Sequence, residues 1–160
     1  MSLRPLMLDA LERGVNIVRG GHEVIPAWYV ISGAETYVLL TRFDPANPGQ
    51  RDRMVYLVGR YMHWKMATAF VMCAEIVMGR GVDAVASVAI SGIERMGVIR
   101  RIKRDTSLHF GPREWIGEES LDSDYFALLP KRQETLSAEE IAELSFVFGE
   151  DGEVPVTRLH

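Results

Sequence analysis

The stretch at 67–79, ATAFVMCAEIVMG, decides the fold. It is apolar almost throughout, and Glu75 is its one charged residue. Val71, Ile76 and Val77 are β-branched and Phe70 is aromatic, a composition that suits a central strand covered on both faces. A continued helix is the rival reading, and periodicity alone does not separate the two. Composition favours the strand. The run is also too short to cross a bilayer, which takes about 20 apolar residues.

Upstream, "QRDRMVYLVGRYMHWK" reads as a helix, with Met54, Val58, Met62 and Met66 stepping by four. Before it, "DPANPGQ" is a loop. "VIPAWYVISGAETYVLLTRF" reads as a β-hairpin turning at Ser32-Gly33-Ala34-Glu35, with Pro26 near the start of its first strand or placing it at an edge. At the front, Ser2 caps a helix carrying Leu3, Leu6, Met7, Ala10, Leu11 and Val18 and stopping at Gly20-Gly21. Gly14 weakens that helix.

Downstream, "GRGVD" is a turn, "AVASVAI" a strand and "RMGVIRRIKR" another. "TSLHFGPREWIG" adds a short strand. A last helix begins at a capping box of Ser137 and Glu140, with Leu136 and Ile141 as a hydrophobic staple. Ile141, Leu144 and Phe148 form its buried stripe, and Gly149 stops it. "VPVTRL" is a final extended piece. The expectation is one α+β domain over 1–160, with helices on a mostly antiparallel sheet in the order α-ββ-α-βββ(β)-α.

The composition is that of an ordinary globular chain of 160 residues, 48% hydrophobic and 25% charged. The N-terminal segment lacks the apolar run of a signal peptide, and a single cysteine excludes an internal disulfide and a cysteine-built zinc cage. A cytoplasmic protein without membrane contact is the expectation. The net charge of −4 hides a division. Residues 1–117 carry 15 Lys/Arg against 11 Asp/Glu, net +4, and residues 118–160 carry 3 against 11, net −8. One reading is a solvated acidic surface. The sharper one is an acidic C-terminal part docking on the basic part, within one chain or between two.

Cys73-Ala74-Glu75 spells the C-x-E of zinc deaminases, in which a thiolate holds the metal and a glutamate moves protons. That chemistry needs further ligands, and P-C-x-x-C is missing here. Cys73 therefore reads as a buried structural residue. Glu75, on a buried strand, needs a partner or a strand end. His22-Glu23 opens like a zincin motif, but Pro26 stands where the second histidine belongs. No G-x-S-x-G, Walker loop or dinucleotide fingerprint occurs, so no catalytic residue, metal site or cofactor is assigned.

The basic stretch 95–104 is the strongest cationic feature. As a strand it splits its charges, with Arg100 and Arg104 on one face and Arg101 and Lys103 on the other. It reads as a charged edge strand rather than a nucleic-acid stripe. The candidate ligand- or partner-binding residues are Glu75, His63, Arg95, Arg100, Arg101, Lys103 and Arg104. His22, His63 and Glu75 could meet only through space.

"ATAFVMCAEIVM" followed by "SVAISGIERMGVIRRIKRD" is similar to small uncharacterised α+β proteins of bacteria and their phages, over about residues 1–105. There an aromatic is expected soon after the strand glutamate, whereas Ile76-Val77 follow here. The layout also resembles roadblock and profilin-like domains, which act in assembly. The resemblance implies an α+β domain and no particular activity. The leading expectation is a non-catalytic interaction or regulatory module that self-associates or binds a protein partner. The alternatives are a small enzyme built around Glu75, His63 and the arginines of 95–104, and nucleic-acid binding through the basic strand.

Overall fold

The computed structural model describes residues 2–44, 46–149 and 154–155. The stretch at the centre is a strand. Helix α1 (Arg4–Arg19) leads to β1 (Ala27–Ser32) and β2 (Glu35–Leu40), then α2 (Pro48–Trp64), β3 (Ala69–Met78), β4 (Val82–Ser91) and β5 (Arg95–Arg104). Two short strands follow, β6 (Leu108–Phe110) and β7 (Glu114–Ile116), then α3 (Ala138–Phe148) and β8 (Val154–Pro155). The class is α+β in the expected order, and β1–β2, β2–β8, β4–β5, β5–β6 and β5–β7 all pair antiparallel. Among the described residues no helix is long and apolar enough to cross a membrane.

The chain forms two compact units, Met1–Pro26 with Val71–Leu121, and Ala27–Phe70 with Asp122–His160. In the first, β4 lies between β3 and β5, and β5 carries both β6 and β7 on its other side. The stretch 95–104 is therefore an interior strand, not the edge its charges suggest. Its four arginines are accommodated because each leans out to a carboxylate, and Lys103 is exposed.

Helix α1 packs on β4 and β5 with Met7, Leu11 and Val15 fully buried. Gly14 is part of that contact. A Cβ there would stand 2.7 Å from Val85 Cγ1 and 2.9 Å from Cys73 Sγ, so the missing side chain lets helix and strand approach. The Ser87 hydroxyl donates to the Met7 carbonyl at 2.8 Å, which accommodates a buried polar group on β4. The N-cap is Leu3 rather than Ser2, whose Oγ accepts the Arg4 N–H instead.

In the second unit, β1 and β2 turn at Gly33, whose φ of 59° is the conformation a tight hairpin demands. Trp28 donates its indole N–H to Thr41 at 3.1 Å and packs against Phe70 and Tyr125. Helix α3 has the predicted Ser137 cap, which accepts the Glu140 N–H. The Glu140 carboxylate, expected to complete the capping box, receives Arg60 Nε at 2.9 Å. Leu144 and Phe148 are buried while Ile141 is only partly so. Gly149 ends the helix at a φ of 78°. Of "VPVTRL", Val154 and Pro155 form β8 and the remainder lies outside the described residues.

Candidate functional site

Strand β3 is buried through Ala74 and opens at Glu75. That transition places a carboxylate at the rim of an apolar surface. Alternation along β3 puts Glu75 on the same side as Cys73, the side that α1 covers. α1 ends at Arg19, and the chain turns away through Gly21 at a φ of 83°. The end of the helix and the emerging strand leave an open hollow of about 410 Å³ in the first unit. Val18 and Leu108 supply its apolar wall, and His22, Glu23, Glu75 and Arg104 its polar groups. Arg104 links two carboxylates, with Nη1 on Asp83 and Nη2 3.5 Å from Glu75. Glu75 is one quarter exposed.

The other candidates take separate partners. Arg100 donates to the Gly111 carbonyl at 2.8 Å and to Glu12 at 3.0 Å, beneath the ring of Phe110. Arg101, on the opposite face, donates to Glu114 at 2.8 Å. Arg95 meets Glu118 at 3.1 Å. Lys103 is exposed and shares a second hollow with Arg101 and Val82. His63 belongs to the second unit, where its Nδ1 lies 2.8 Å from the Gly59 carbonyl and its Nε2 3.8 Å from Glu134.

No local sequence signal marks Glu12, Asp83, Glu114 and Glu118 as the acceptors for these arginines. Glu12 lies 88 positions from Arg100, and no local spacing announces such a pairing. His22, which opens a zincin-like pair in the sequence, lines the same hollow as Glu75.

Cys73 is buried on β3, its thiol donating to the Ala10 carbonyl at 3.4 Å, and burial pushes its pKa up to about 12. A thiol so raised is a poor nucleophile at neutral pH. Among the described residues no three His, Cys, Asp or Glu side chains are grouped to hold a metal ion.

Part of the acidic C-terminal surface pairs with arginines inside each unit. Glu118 meets Arg95 in the first unit. In the second, Glu143 meets Arg53, and Arg60 meets Glu140 and Glu134. The guanidinium of Arg60 holds the Glu134 carboxyl below its ordinary pKa, and the hydrogen bond to Glu140, with that to Glu134 second, raises the pKa of Arg60.

Comparison with protein-family models, with curated proteins and with solved structures found no match.

Proposed function

We propose that the protein works by binding rather than by catalysis, as an interaction module that associates with a second copy of itself. The observation that carries this reading is Phe146, a phenyl ring 90% exposed on an ordered helix. It neighbours Val147, also partly in water, and sits one turn beyond Glu143 and two beyond Glu139 on the same helix face. Covering such a ring contributes roughly 2–3 kcal/mol, and a symmetric contact counts it twice. A second copy is the favoured occupant because in a two-fold contact the exposed Phe146 of one chain can cover that of the other. Glu134, Glu140 and Glu143 are neutralised by arginines of the same chain, while Glu139 stays in water. The pairing of Arg95, Arg100, Arg101 and Arg104 with carboxylates weighs against the rival reading of a phosphate-binding stripe.

Light scattering across a concentration series tests it. The expected result is a mass above one chain that falls to one chain in Phe146→Ser, while Ile93→Ser, at an exposed turn of the other unit, leaves it unchanged. A single-chain mass up to millimolar concentration would overturn the proposal, as would an oligomer indifferent to Phe146→Ser.

A further inference from the structure

We infer that the hollow at the end of α1 is a binding site for a small organic cation, an ammonium or guanidinium group on a short apolar stem. Its charge is lopsided. Glu23 and Glu75 face it, and its one guanidinium, Arg104, is already shared between Glu75 and Asp83. Val18, in the last turn of α1, lines it, so the negative end of the helix dipole borders the hollow.

Glu75 is the group best placed to bind. It sits on the central strand, largely removed from water, and its contact with Arg104 is long at 3.5 Å. A carboxylate in that position gains from a second, shorter donor. Val18 and Leu108 offer the stem an apolar wall, and about 410 Å³ falls within the range of small-molecule sites. A bare metal ion fits less well, because His22, Glu23 and Glu75 line the hollow without being grouped closely enough to hold one. An anion would meet two carboxylates and the negative end of a helix.

The probe is n-butylammonium chloride, titrated against the full chain and followed through the backbone amide resonances of Gly21, His22 and Glu75. Sodium chloride at equal ionic strength is the reference. Saturable shifts at millimolar concentration, confined to these residues and absent with sodium chloride, are expected. Glu75→Gln should weaken binding about tenfold, the loss of one charge-assisted hydrogen bond. Glu23→Gln at the exposed rim should weaken it by a smaller factor, and it decides the matter if Glu75→Gln lowers the melting temperature. Shifts identical to those with sodium chloride, or binding untouched by both substitutions, would overturn the assignment. Repeating the titration on Phe146→Ser separates its outcome from that of self-association.

Discussion

Helices α1 and α3 each bury one apolar face, yet they are held by different forces. α1 meets its strands through shape. Gly14 is pressed against Val85 and Cys73, and two buried hydrogen bonds run from Cys73 and Ser87 to helix carbonyls. α3 buries only Leu144 and Phe148, and it is tied to α2 by Arg53–Glu143 and Arg60–Glu140. Close packing is sensitive to a single methyl group and indifferent to salt. Exposed ion pairs tolerate changes of shape and weaken with salt. The first contact should break by volume, the second by charge.

The largest effect is expected at Gly14. Adding a methyl group there costs about 1–3 kcal/mol of overpacking, against a helix-propensity gain of about 1 kcal/mol. Gly14→Ala should therefore lower stability, and Gly14→Val should lower it by about 3 kcal/mol, measured by denaturant unfolding. A stabilised Gly14→Ala would mean that the seam yields, and the contrast with α3 would fail.

Next comes the alkaline limb of stability. Burial raises the Cys73 thiol from 9.0 in the unfolded chain to about 12. Between those values the unfolded chain loses the proton and the folded chain keeps it, so stability falls as pH rises. The contribution reaches about 1.4 kcal/mol by pH 10. Cys73→Ala should flatten that slope in chemical denaturation between pH 8 and 10. An unchanged slope would show that the thiol titrates freely in the fold.

Of these two effects, the burial of Cys73 was legible in its apolar run, whereas the close approach at Gly14 was not. The class and order of elements were legible because local signals agreed: Ser32–Glu35 turns a hairpin, and Ser137 with Gly149 brackets a helix. The strand character of 69–78 followed from β-branched and aromatic composition. In sequence Gly14 shows only as a weak point of a helix, because a close approach to strands some 60 to 70 residues away leaves no local trace. The edge reading of β5 failed for a related reason. Charge on a strand signals water only when no distant carboxylate awaits it, and Glu12, Asp83 and Glu114 do. Glu75 was legible as an anomaly. Its surroundings were not, since His22 reaches the hollow through the end of a helix and Arg104 through another strand.

The smallest expected effect concerns the charged seam of the second unit. Arg60 is four-fifths buried along its side chain, with Glu140 at 2.9 Å and Glu134 at 3.3 Å. Both carboxylates are substantially exposed, so solvent screens the pairs. Arg60→Ala should therefore cost about 1 kcal/mol at low salt, less at high salt. Acid should act on the same seam. Arg60 holds the folded pKa of Glu134 below its unfolded value of 4.5. The unfolded chain then takes up the proton first, so the stabilisation is complete above about pH 4.5 and is lost as pH falls through the folded pKa. Glu134→Gln should reduce this acid sensitivity without altering the alkaline slope due to Cys73. Unfolding followed in low and high salt at pH 4 and pH 7 separates the two seams. Equal salt dependence for Arg60→Ala and Gly14→Ala would show that charge and shape are not divided between the helices.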